Sequence, residues 1–255
     1  MKKSISVPGR FRGPPQSGNG GFVAGMLAER LEQASTAIAA ADEGAVEVTL
    51  RAPTPLDQLM QTLTPDKDTL QLILGETLIA EARRTTLTLE VPEPPSFAAA
   101  LAGRPGSPSL QNDLNPFVPE GRGFHPICFC CGADVDPDEG LHVYPAPVDG
   151  FEGVAAAWRP SLVFADPNGL LPERILWAGL DCPGQFAYLN AGIRTGMLGR
   201  ITGRIFAPVK ADQNLVIIGW CMEVERSKHF AGTALFDESG ELCGYTKQVW
   251  IGRRD

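Results

Sequence analysis

Residues Gln16 to Leu31 join a glycine-rich turn, Ser17-Gly18-Asn19-Gly20-Gly21, directly to an apolar-striped segment. Asn19 suits a helix N-cap, and Gly20 and Gly21 leave amide N–H groups, which lack intrahelical partners there, open to close approach. Such amides hold an anion or polarise a carbonyl oxygen. A flexible turn ahead of an ordinary packed helix is the plainer reading of the same residues. A second arrangement, Leu180-Asp181-Cys182-Pro183-Gly184-Gln185, favours the chemical one. Asp181, two residues before Pro183, suits either a helix N-cap or a carboxylate facing a substrate. Gln185 either orients a water or a carbonyl, or is a surface side chain. Glu29 is either a base or nucleophile inside the first helix, or a solvated position beside Arg30 and Glu32.

Cys128, Cys130 and Cys131, with His125 close by, supply half of a tetrahedral metal set. No second paired cluster follows at ligand spacing, so no metal is expected and the cysteines are read as buried strand residues. Trp158, Trp177, Trp220 and Trp250 suit a core or a pocket wall better than a stacking platform for bases.

These residues need elements to hold them. Phe22, Val23, Met26, Leu27, Leu31, Ala34 and Ile38 recur at helical spacing, predicting a helix over about 20–41. Ala41 to Gly44 stops it, and 45–51, 71–81 and 84–91 carry strand patterns. Residues 93–123, rich in Pro and Gly, read as a linker with room for a short helix at 96–102. Beyond it come a helix over about 182–193 and strands at 197–206, 215–224, 229–237 and 241–251. The 255 residues, 44% of them hydrophobic, suffice for one large or two ordinary domains. Lys+Arg 22 against Asp+Glu 30 leaves a net charge of -8, which argues against a nucleic-acid or acidic-membrane surface. The two N-terminal lysines precede no apolar run, no stretch approaches a membrane span, and six scattered cysteines fit a reducing compartment; a cytoplasmic protein is expected.

The halves repeat. Ala52-Pro53 with Asp57-Gln58 returns as Ala207-Pro208 with Asp212-Gln213, 155 residues later, while Gly21 to Ala24 aligns with Gly184 to Ala187 at 163.

With these motifs the chain resembles the hotdog-fold acyl-CoA thioesterase superfamily. Asn19-Gly20-Gly21 stands where that superfamily commonly has His-Gly-Gly, and Glu29 falls where its catalytic carboxylate usually lies. Cys128-Phe129-Cys130-Cys131-Gly132 with Gly140-Leu141 is similar to the opening of many such domains, and Gly240 to Tyr245 to their final hairpin. The resemblance implies an α+β double hotdog: two antiparallel sheets, each wrapping a central helix, joined as an intramolecular pseudo-dimer. Residues 1–92 would form one hotdog, 93–123 the linker and 124–255 the other. The implied activity is hydrolysis of an acyl-CoA or acyl-carrier thioester between the halves, without cofactor. The implied catalytic residues are Glu29, Asp181 and Asn19, with Gly20, Gly21, Cys182, Gly184 and Gln185 binding substrate. A homodimer of double hotdogs is compatible with this pattern. The missing histidine, and Gly192 where a second acid would stand, keep a non-catalytic acyl-binding protein as the alternative. A hydratase is less supported, because His125, His142 and His229 show no Asp-x4-His pattern.

Overall fold

The computed structural model describes residues 4–33, 44–111 and 121–252. The first half contains β1 (Ser4–Ile5), α1 (Gly20–Gln33), β2 (Gly44–Leu50), β3 (Met60–Asp66), β4 (Thr69–Leu74) and β5 (Thr77–Thr86). After α2 (Phe97–Gly103) come β6 (Val154–Trp158), α3 (Glu173–Gly179), α4 (Asp181–Asn190), β7 (Met197–Ile205), β8 (Leu215–Glu225), β9 (Lys228–Phe236) and β10 (Leu242–Ile251). One ten-stranded sheet runs β1-β3-β4-β5-β2-β7-β10-β9-β8-β6. All its strand pairs are antiparallel. Hydrogen bonding continues across β2 and β7, so the strands of the first and second halves form one continuous sheet.

Helices α1, α3 and α4 lie on one face of the sheet. Phe22, Val23, Leu27 and Leu31 on α1, and Phe186 and Tyr188 on α4, join one large apolar core with alternate strand residues such as Leu215 and Ile217. Val216, Ile218 and Trp220 point to the opposite face, where a second apolar cluster includes Ala100 of α2. The segment expected to be a linker with room for a short helix therefore covers the outside of the second half, with that helix as α2. Its helix starts where Ser96 accepts a hydrogen bond from the Ala99 amide, and Ser107 and Ser109 beyond it are fully buried.

Several expectations change. The second central helix begins earlier, as α3, and breaks at Leu180 before continuing as α4. Helix α1 packs chiefly against α3 and only slightly against α4, the part of the second helix expected over about 182–193. Contact between α1 and α3 is backbone to backbone: a Cβ at Gly21 would lie 2.3 Å from the Trp177 carbonyl oxygen, and one at Gly25 2.5 Å from Arg174 Cα. The strand expected over 84–91 ends at Thr86, and β3 and β6 are additional strands. Ala34, Ile38 and the stop at 41–43 lie outside the described residues. No helix among the described residues is long and apolar enough to cross a membrane.

The repeat has a structural register. Val46, Glu47 and Val48 pair with Gly203, Thr202 and Ile201, so Glu47 faces the residue 155 positions later. Asp57 and Asp212 both adopt left-handed backbone, with φ of 57° and 61°. Their amides donate to the carbonyls of Val7 and Pro160. The amide of Gly18 donates to Thr54 and that of Leu171 to Val209. This last pair places the start of α1 opposite the start of α3, an offset of 153. The alignment of Gly21 with Gly184 is thereby corrected: two short Gly-x-x-Ala matches are weaker than the hydrogen-bonded frame on either side of them.

Candidate active site

Asn19 caps α1 as its type predicts. Its Oδ1 accepts the Phe22 amide at 2.8 Å, and its own amide donates to Phe11 at 2.8 Å. The entrance is held by Phe22, which stacks on Phe11 with centroids 3.9 Å apart while Phe129 meets both edge-on. Asp181 is brought to this entrance by the break between α3 and α4. Pro183 has no amide to offer the Gly179 carbonyl, which instead accepts from Cys130 Sγ at 3.8 Å. The Leu180 carbonyl accepts from Thr233 Oγ1 at 3.0 Å and Gln248 Nε2 at 2.6 Å, both from the sheet below. The freed backbone groups are thus partnered, and the chain turns at Leu180 so that Asp181 reaches α1.

Asp181 does not cap its own helix. Its Oδ2 accepts the Gly21 amide of α1 at 2.9 Å, while its buried Oδ1 has no hydrogen-bond partner among the described residues. The residue is 4% exposed. Burial pushes its carboxyl up to about 7, and the Gly21 and Gly20 amides and the Asn19 side chain pull the other way. A carboxylate kept in apolar surroundings with one free oxygen can accept a proton from water.

A cavity of about 240 Å³ opens here. Asn19, Gly20, Asp181, Cys182 and Gln185 line it together with His125, Thr54 and the apolar side chains of Leu50, Met197, Leu198, Trp250 and Ile251. Gln185 is buried, contrary to the surface alternative, and is fixed at both ends of its amide. It donates to the Gly196 carbonyl at 3.0 Å and meets His125 Nε2 at 3.0 Å. Burial lowers the pKa of His125. Exposed Arg51 stands on the cavity lining.

Two of the expected site residues lie elsewhere. Gly184 faces β10, where an added Cβ would lie 2.0 Å from Gln248 Oε1, so its absent side chain serves helix-on-sheet packing. Glu29 does not line the cavity. Its Oε1 accepts the Arg174 amide at 2.9 Å and its Oε2 pairs with the Arg174 guanidinium at 2.8 Å. Gly21 contributes through its bond to Asp181, and its lack of a side chain is required by Trp177. The cysteines Cys128, Cys130 and Cys131 are buried as expected, yet they sit in an irregular turn and not on a strand. The further thiol comes singly from α4, as Cys182. His125 could have been marked as a site residue through its closeness to this cysteine run, but its partner Gln185 is 60 residues away.

No family model matches the sequence, and no curated protein matches it. Solved structures do. A Thermobifida fusca protein provisionally described as a thioesterase II is 13% identical, with 98% of this chain and 93% of that one covered at a TM-score of 0.61. A conserved protein of unknown function with hot dog fold from Alicyclobacillus acidocaldarius is 12% identical, covering 99% and 93% at 0.60. The tesB protein of Mycobacterium avium subs paratuberculosis is 14% identical, covering 98% and 91% at 0.57. At these identities the likeness speaks to the fold, and the chain has the α+β hot dog fold over nearly its whole length.

Proposed function

We propose that the protein hydrolyses an acyl thioester at the α1 entrance, with Asp181 as the carboxylate that activates water. The observation that carries this reading is the buried, unpartnered Asp181 Oδ1 on the wall of a mainly apolar cavity. Asp181 takes a proton from water while the Gly21 amide holds its other oxygen in place. The Gly20 amide and Asn19 Nδ2, which face Asp181 and, for Asn19, Cys128 Sγ at 3.9 Å, turn to the thioester carbonyl oxygen as negative charge develops on it. Leu50, Leu198 and Ile251 receive the acyl group, and Arg51 meets a phosphate of a coenzyme A carrier. Glu29 has no part in the reaction. Names of thioesterases among the structural neighbours support the substrate class.

The reading includes the architecture. Residues 1–92 and 124–255 are two hotdog units paired within one chain, a double hotdog whose dyad passes through the Glu47 and Thr202 pair. Only one of the two entrances hydrolyses substrate.

Acyl-CoA binding without turnover is favoured by one observation: Asp181 already occupies the Gly21 amide, so fewer donors are left for an oxyanion. A panel of short, medium, long and aromatic acyl-CoAs tests the two readings on native protein and Asp181→Asn. Hydrolysis that disappears in the variant while binding persists is expected. Native protein that binds acyl-CoA without ever releasing free thiol would make the binding reading the better one.

A further inference from the structure

Buried cysteines ordinarily behave as small apolar side chains, with no reason for their sulphurs to converge. Here three converge from two distant segments. Cys128 and Cys131 lie in the turn before residue 140, Cys182 in the first turn of α4, and their Sγ atoms all lie within 4.8 Å of one another. The Cys128 and Cys182 sulphurs are 3.8 Å apart. A tetrahedral zinc ion with Zn–S bonds of about 2.3 Å has an S···S edge of about 3.8 Å. The turn also has the form that such a site needs. Gly132 donates its amide to the Cys128 carbonyl at 2.8 Å, and a Cβ on it would lie 2.6 Å from that oxygen, so Gly132 lets the backbone curl tightly enough to turn both sulphurs the same way.

We propose that Cys128, Cys131 and Cys182 hold one zinc ion, with the neighbouring Cys130 thiol or a water in the fourth position. The sulphur-only donor set selects a soft ion over magnesium or calcium. All three cysteines are buried, as ligands of structural zinc sites are, with Cys128 and Cys182 also on the cavity wall. The site ties the irregular segment 121–145 to the start of α4, and so fixes the residue next to Cys182, which is Asp181. Binding displaces the thiol protons to solvent. This inference rests on the sulphur geometry and not on the hydrolytic reading.

The test uses untagged full-length protein purified under reducing conditions without chelator, assayed by elemental analysis and then stripped and refilled with Zn²⁺ or Co²⁺. About one zinc per chain is expected, with intense sulphur-to-cobalt charge-transfer bands in the cobalt form. Cys131→Ser and Cys182→Ser should each weaken zinc binding more than about 10-fold, whereas Cys221→Ser, at an exposed thiol away from the cluster, should leave it unchanged. Should the buried variants fail to fold, the cobalt spectrum of the native protein decides alone. Absence of charge-transfer bands after anaerobic refilling overturns the proposal. So does folded Cys131→Ser that binds zinc as tightly as native protein, or a disulfide among these thiols in freshly isolated protein that takes up no zinc on reduction. Hydrolytic activity enters none of these readouts, so loss of the hydrolase reading leaves the zinc result standing and the reverse holds equally.

Discussion

The two helix entrances of this molecule use one backbone device for different ends. At α1 the amide of Gly21 meets Asp181 at 2.9 Å, and at α3 the amide of Arg174, 153 positions later, meets Glu29 at 2.9 Å. Each carboxylate comes from the opposite half's helix. What differs is the residue that carries the amide. Gly21 has no side chain, so the free oxygen of Asp181 stays unpaired beside a cavity. Arg174 folds its guanidinium onto the free oxygen of Glu29 at 2.8 Å and neutralises it. A helix N-terminus that attracts a carboxylate is therefore a clasp by default, and becomes chemically able only where the second oxygen is left buried and unsatisfied.

The sharpest test of that contrast is kinetic. Asp181→Asn keeps an acceptor for the Gly21 amide but cannot take a proton, and kcat/KM for acyl-CoA hydrolysis should fall by about 10²–10⁴-fold. Glu29→Gln should change it less than about threefold, since Glu29 faces Arg174 and not the cavity. Equal losses in the two variants would erase the distinction between the entrances.

The next effect is on folding. A Cβ at Gly21 meets a backbone oxygen, Trp177 O at 2.3 Å, and cannot be accommodated by a rotamer change. Gly21→Ala should therefore cost about 3 kcal/mol or more, seen as a large drop in thermal midpoint. Gly20→Ala is the comparison, because its nearest obstacle is the side-chain end Leu198 Cδ2 at 2.9 Å, which can move. That change should cost no more than about 1 kcal/mol. A small effect at Gly21 would mean that α1 and α3 are not pressed together as described.

Some of this was legible in the sequence. Asn19 announced the start of α1, and Asp181 and Gln185 were marked by the Asp181 to Gln185 run that opens α4. The strands with apolar alternation, β2 and β7 to β10, fell close to their expected bounds. The elements missed were those without such signals. Helix α3 has Pro172 at its cap with no side-chain hydrogen bond, β3 is polar and largely exposed after Met60, and β6 is mostly alanine. That Asp181 and not Glu29 lines the cavity was not legible at all. It depends on how α1 crosses α3, which Gly21 and Gly25 fix through contacts with residues about 150 positions away. The cysteine cluster escaped for the same reason, since Cys182 is far from the Cys128 to Cys131 turn along the chain.

The smallest expected effect tests whether the α3 entrance is merely a clasp. Glu173 stands there near Glu29 and Glu32, and burial, with repulsion from those two carboxylates, pushes its carboxyl from an ordinary 4.5 to about 7. The folded state therefore holds the Glu173 proton more tightly than the unfolded chain does. The sign follows: ionisation in the folded protein is penalised, the penalty is absent below about 4.5, grows as the pH rises towards about 7 and is constant above it. Glu173→Gln removes it. Discounted for the partial exposure of the side chain, the gain above pH 7 is roughly 1–2 kcal/mol, or a few degrees in Tm. Melting curves at pH 4.5 and pH 8 should converge for native and variant protein at the lower pH and separate at the higher. Hydrolysis should be unaffected, because Glu173 does not line the cavity beside Asp181. A variant that is less stable at pH 8, or that loses turnover, would show that the second entrance retains a task which its Arg174 and Glu29 pair conceals.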